Sequence, residues 1–273
     1  MFPVIELKMS IVLDKPEIEK RCIEFFRLYD TTEDHIHDMC KAKVDHSLQV
    51  AETCFQFAVH EKLSKYECDL AWVIGMLHDF GRFGQAAVTK SFNDTDDFDH
   101  AKNGAKLLFS LGLIEDIIRN YAEIAEEDKC VIEKAIYYHS AYYLPDELTE
   151  REEFFCNIIR QADQLDIFHT IVESGWRTIY GCEKEVLLAT EISDDIAAAF
   201  YQKKLADYSK RTTLADYHLA HIALCFGLQN DTARKIAIEQ GYLKQMMEIT
   251  FSKPSVQKKY SELKKITLEY LCG

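Results

Sequence analysis

Trp72-Val-Ile-Gly-Met-Leu-His-Asp-Phe-Gly-Arg82 is an apolar run that ends on an imidazole and a carboxylate side by side. A greasy helix that finishes this way carries an energetic penalty unless the polar pair is hydrogen-bonded, paired or bound to a cation. Elsewhere in the chain, further polar residues of ligand type fall where a helix should face its core. His46 is in register with Val50, Cys54 and Phe57, and His100 with Gly104, Leu107, Leu108 and Leu111. His139 shares a face with Val131, Ile132, Ala135 and Ile136, and Asp163 shares one with Phe155, Ile159 and Asp166. One such histidine is ordinarily a hydrogen-bonded core residue. Four inward-facing ligand types on four separate helices, together with His78-Asp79, point instead to a common site.

Around this set the chain reads as helix nearly throughout. Four prolines and ten glycines punctuate 273 residues, and no alternating strand pattern or internal repeat stands out. The spacing predicts a helix after Asp14 with Pro16 in its first turn, running to about Tyr29, and a long one from Thr32 to about Lys62. Ser64 is placed to cap a third helix that ends at His78-Asp79 and stops at Gly81. Residues 80–98, rich in Gly, Asn and Asp, read as a loop at the mouth of the site. Asp99 starts the helix that begins with His100 and ends at Gly112. Further helices are expected near 114–126, 129–142, 150–170, 194–209, 215–228, 231–240 and 242–251. The paired lysines 258–259 and 264–265 alternate with apolar positions as on a helix with a solvated face.

The order His46, His78-Asp79, Asp163 resembles the His…His-Asp…Asp signature of the HD-domain superfamily of metal-dependent phosphohydrolases. Met76-Leu-His-Asp-Phe-Gly-Arg82 is similar to that family's helix end and turn, and Arg160-Gln-Ala-Asp-Gln-Leu-Asp166 to its final helix. The resemblance covers roughly residues 40–175. It implies an all-α fold, an HD-domain helical bundle with additional N- and C-terminal helices. The expected organisation is N-terminal helices over 1–39, the metal-binding domain over 40–175, and a helical extension over 176–273 within the same compact unit. His100 and His139 resemble the extra ligands of two-metal members. Ser140 follows His139 where the two-metal phosphodiesterase branch has a second histidine, and a Gly-Tyr-Pro signature is absent, so cyclic-dinucleotide cleavage is not expected.

Imidazole and carboxylate donors without thiolate suit one or two divalent ions, iron or manganese foremost, with nickel, cobalt, zinc or magnesium compatible. On this reading His46, His78, Asp79 and Asp163 hold a first ion, and Asp79 bridges to a second completed by His100 and His139. Such ions make hydroxide available near neutral pH for attack on a phosphate ester, and Asp79 and Arg82 are the expected catalytic residues. Arg82 is also the foremost phosphate partner, because a guanidinium matches phosphate in a bidentate fork. Lys102, Lys106, Arg160 and Gln85 are further candidates for substrate contact, the two lysines reading more readily as solvated surface charges. Asp166, one turn past Asp163, would orient a ligand imidazole or pair within its own helix. Tyr142 and Tyr143 could line the pocket. His35 and His37 read as surface residues, His169 as a neighbour of the site, and His218 and His221 as a packed or hydrogen-bonded pair.

Composition bounds the rest. Hydrophobic residues at 48% and charged residues at 29% describe a folded chain, and the net charge of −14 argues against nonspecific duplex nucleic acid or an anionic membrane as partner. Nine scattered cysteines suit reduced thiols, and neither a leader peptide nor a membrane span is visible, so a cytoplasmic location is expected. A homodimer is compatible with this surface, although no heptad seam specifies one. Three functions follow from the residues and the resemblance: a phosphohydrolase acting on a small phosphorylated metabolite, above all a nucleotide; an HD-type di-iron oxygenase; and a metal-stabilised binding or regulatory module.

Overall fold

One largely apolar helix stands at the centre of the first half of the chain, its buried Asp69 paired with Lys65 and Lys15, and the rest of that half is built about it. In the computed structural model, which describes residues 11–29, 34–89, 94, 98–141 and 143–273, this helix is α3, Lys65–Leu77. Every residue from Cys68 to Leu77 is buried, the behaviour of a helix enclosed by others. Ser64 begins it through a capping box: its hydroxyl accepts from the Glu67 amide while the Glu67 carboxylate accepts from the Ser64 amide. α1 (Lys15–Phe26), capped by Asp14, and α2 (Asp34–His60) pack on α3. α4 (Phe80–Thr89), α5 (His100–Ala105), α6 (Leu113–Ile117) and α7 (Glu126–Tyr138) complete this half. No β-strand occurs among the described residues, and the fold is all-α.

The chain divides between Arg160 and Gln161 into two compact units, and α8 (Glu150–Tyr180) begins in the first and ends in the second. The second unit continues with α9 (Lys184–Leu188), α10 (Asp194–Gln202), α11 (Leu214–Ile222), α12 (Asp231–Gln240), α13 (Tyr242–Met246) and α14 (Pro254–Cys272). α14 packs on α10 and α12 and buries Val256, Tyr260, Leu263, Thr267 and Leu271. Lys258 and Lys265 lie at the surface, whereas Lys259 and Lys264 turn back to donate to the carbonyls of Ile192 and Met247.

Several expected boundaries shift for physical reasons. Residues 80–89 are helical, not loop, and Gly81 does not stop α3. Gly81 serves a close approach: a Cβ there would sit 2.2 Å from the His100 carbonyl oxygen and 2.8 Å from the Gly104 nitrogen. Its missing side chain therefore lets α4 lie against α5, which a reading of glycine as punctuation misses. Gly75 plays the same part between α3 and α2, since a Cβ would come within 2.6 Å of the Ala51 Cα. The His100 helix passes into a π-turn over Lys106–Ser110 before Gly112, whose φ of 80° closes it. The segment expected as one helix near 114–126 is split into α6 and a short 3-10 turn at Tyr121–Glu123. α8 runs ten residues beyond 170 and is kinked at Gly175, at φ 76° and ψ 165°. α10 ends early, at Gln202, because Lys203 takes a left-handed conformation at φ 53°.

Gly81→Ala tests the close approach. Forcing a methyl into backbone atoms that cannot yield is expected to cost about 1–3 kcal/mol of stability and to move His100 with its helix. A chemical-denaturation midpoint equal to wild type would show that α4 and α5 have room to spare.

Candidate metal centre

Three of the clustered imidazoles stand at helix ends, where backbone groups lack helical partners and are free to orient a side chain. His78 is the C-cap of α3 and its Nδ1 lies 2.7 Å from the Gly75 carbonyl oxygen. His139 is the C-cap of α7 and repeats the arrangement, Nδ1 to the Ile136 carbonyl at 2.7 Å. A carbonyl can only accept, so each Nδ1 carries the proton and each Nε2 presents a lone pair. His100 opens α5, and its Nδ1 lies 2.6 Å from Asp94 Oδ2, which again fixes the proton on Nδ1 and leaves Nε2 bare. His46 comes from the middle of α2, on the face that buries Val50, Cys54 and Phe57.

These nitrogens meet around one carboxylate. His46 Nε2 and His78 Nε2 are 3.2 Å apart, and lie 3.4 and 3.6 Å from Asp79 Oδ2. His100 Nε2 and His139 Nε2 are 2.9 Å apart, and lie 3.4 and 3.7 Å from Asp79 Oδ1. Two groups of three donors thus share Asp79 through its two oxygens. Bare nitrogens on His100 and His139 repel each other at that distance unless a cation lies between them. An ion with bonds of about 2.1 Å keeps its donors roughly 3.0–3.4 Å apart, close to the 2.9–3.7 Å separations seen here. The donor set therefore fits divalent ions, and its chemistry is compatible with metal binding.

Electrostatics agree with an anionic bridge. Burial of Asp79 opposes its ionisation, but the Lys43 ammonium and the neighbouring imidazoles of His78, His139 and His46 hold its carboxyl well below the usual range. Burial pushes the His100 imidazole down from its ordinary value, with Asp79 acting in the other direction. Neutral imidazole is the form that ligates a metal.

A network of polar side chains braces this centre. Asp94 Oδ1 accepts from Arg82 Nη1 at 3.0 Å, from Gln85 Nε2 at 3.0 Å and from the His100 amide at 3.3 Å. Arg82 Nη1 also donates to Gln85 Oε1 at 2.8 Å, and its Nε stands 3.5 Å from Asp79 Oδ1. Gln85 is buried, so it links α4 to Asp94. Lys43, one turn before His46 on α2, places its ammonium 2.6 Å from Asp79 Oδ2. Sequence reading passes over both Asp94 and Lys43. Lys43 had a signal, the three-residue spacing that puts it on the face of His46; Asp94 stands in an acid-rich run with nothing to single it out.

The remaining expected residues lie as follows. Asp163 is half-buried on α8, in the second unit. Asp166 is buried and accepts from His169 Nδ1 at 3.0 Å and from the Thr170 hydroxyl at 3.2 Å, both in its own helix. Lys102 is exposed and paired with Asp99 at 2.8 Å, and Lys106 is exposed on the π-turn. Arg160 is half-buried on α8, and burial lowers its guanidinium from the ordinary value. Tyr143 is exposed. Tyr142 and the side chains of His35 and His37 lie outside the described residues, as do 90–93 and 95–97 of the expected loop.

Residues 44–167 match the HD domain family. The chain contains an HD domain. The matched span includes His46, His78, Asp79, His100, His139 and Asp163. HD domains are mostly metal-dependent phosphohydrolases, so metal-dependent hydrolase-type activity is the general assignment. No curated protein and no solved structure matches the chain significantly. Among the described residues, no helix is long and apolar enough to cross a membrane.

Proposed function

We propose that this HD-domain protein is a phosphohydrolase that cleaves a phosphate ester of a small metabolite, above all a nucleotide, with two divalent ions, iron or manganese. The observation that carries the reading is the pair of donor groups joined at Asp79, with three lone-pair-bearing Nε2 atoms fixed by their Nδ1 partners. His46, His78 and Asp79 would hold one ion, and Asp79, His100 and His139 the other. Bound ions supply the acidity that makes hydroxide available near neutral pH, and they offset charge on the phosphoryl oxygens.

The chain's own residues account for binding and orientation. Lys43 and Arg82 approach Asp79 from its two different oxygens, and both are partly exposed, at 21% and 15%. They are the cations best placed to receive a phosphate, Arg82 through a planar fork and Lys43 as a point charge. Asp94 and Gln85 hold the Arg82 guanidinium in place, so its orientation is set before substrate arrives. Arg160 is a further candidate for the substrate's outer part. Lys102 and Lys106 stand lower, since one is neutralised by Asp99 and both are exposed.

Phosphate release from a panel of nucleotides and simple phosphate esters tests the proposal, using metal-stripped protein resupplied separately with manganese, iron, cobalt, nickel or magnesium. Release at least ~10³-fold above buffer, dependent on added metal, is expected for one or more substrates. Protein that takes up two ions per chain yet releases no phosphate across the panel would overturn it.

A further inference from the structure

A second feature stands wholly within the second unit. A cavity of about 170 Å³ opens beside the Gly175 kink and is lined by the rings of Trp176, Tyr180 and His218, by the apolar Ile171 and Met246, and by Gln245 and Lys184. Gly175 holds a conformation essentially restricted to glycine. Glycine takes this conformation without strain, and it turns the helix at a single residue. Here the kink falls on the residue immediately before the Trp176 wall.

The Tyr180 hydroxyl and the His218 imidazole are held by hydrogen bonds and uncharged. His218 Nε2 donates to the Met246 carbonyl at 3.0 Å, which leaves Nδ1 to accept from the Tyr180 hydroxyl at 2.8 Å. Tyr180 in turn accepts from His221 Nδ1 at 3.2 Å. Burial pushes both imidazoles down to about 4 and the Tyr180 phenol up, so none of the three carries charge at neutral pH. Lys184 is then the sole charged residue lining the cavity. Its ammonium lies 5.4 Å from the Trp176 ring centroid, and among the described residues it forms no ion pair, although the chain has 46 carboxylate side chains. The neighbouring Glu183 is taken by Arg177.

We propose that this cavity binds a single-ring aromatic carboxylate, its ring against Trp176 and its carboxylate against the Lys184 ammonium. The size sets the ring count, because an apolar cavity of about 150 Å³ accommodates benzene. Aromatic walls favour a planar guest through offset or edge contacts. The unpaired ammonium selects an anion over its neutral counterpart.

Tryptophan emission reports directly, since the chain has two tryptophans and Trp72 is buried in α3. Full-length protein carrying Trp72→Phe keeps Trp176 as the lone reporter, and benzoate is the probe. A saturable change in emission is expected, with affinity at least ~10-fold weaker, the equivalent of about 1.4 kcal/mol, for Lys184→Gln and for the neutral probe benzyl alcohol. Circular dichroism equal to wild type establishes that both variants are folded. A change that never saturates overturns the proposal, as does equal benzoate affinity in Lys184→Gln. Equal binding of benzyl alcohol also overturns it, by showing an apolar cavity without anion selection.

Discussion

Asp79→Ala is expected to abolish metal-dependent turnover and to strip the protein of both ions at once. No other residue stands in both donor groups, and its two oxygens face two different imidazole pairs. Removing it leaves His46 with His78, and His100 with His139, as two-nitrogen fragments without a shared anion. The rate should fall by at least ~10³-fold, and metal content by elemental analysis should fall toward zero per chain. Full activity in the variant would remove the site from its assigned place. Asp79→Asn keeps the volume and separates loss of chemistry from loss of fold. Because the folded-state carboxyl is held below its ordinary value, the charge contributes stability above the unfolded carboxylate pKa of about 3.9 and loses it as pH falls through the depressed value. The metal-stripped Asp79→Asn protein should therefore melt lower than metal-stripped wild type at neutral pH, with the gap closing in acid.

The centre is legible in the sequence to the extent that histidine and carboxylate side chains replace apolar residues at regular helical positions. His46, His100 and His139 each interrupt an otherwise greasy register, and His78-Asp79 ends a helix buried over ten consecutive residues. The all-α class is legible for a related reason: long 3.6-residue periodicity with few breakers leaves little else. What escapes has in common that its signal lies in three dimensions. Gly81 carries the local mark of a helix stop, yet its role is set by the His100 carbonyl of another helix. Asp94 becomes meaningful when its carboxylate is found against His100 Nδ1 and the Arg82 guanidinium. Gln85, singled out as a substrate contact, is buried and bonded to both Arg82 and Asp94. Gly175 sits in a stretch whose pattern gives no sign of a kink.

His139→Ala separates a two-ion centre from a one-ion centre with a conveniently placed core histidine. Both readings explain the hydrogen bond to Ile136 and the burial of the ring; they differ in what lies beyond Nε2. At 2.9 Å from His100 Nε2, with the protons of both rings on Nδ1, that nitrogen faces a lone pair and has no neutral hydrogen bond to offer. If a cation is shared there, losing His139 leaves His100 and one oxygen of Asp79 from that group, and the second ion should be lost while His46 and His78 keep the first. Elemental analysis is expected to fall from two ions per chain to one. The thermal shift on adding metal should shrink accordingly, since an ion at a hundred times its Kd stabilises by about 2.7 kcal/mol. His46→Ala supplies the mirror case, in which the pair at Asp79 Oδ1 survives. Two ions per chain and an unchanged metal-induced shift in His139→Ala would make His139 a packing residue and confine the chemistry to the His46, His78, Asp79 group.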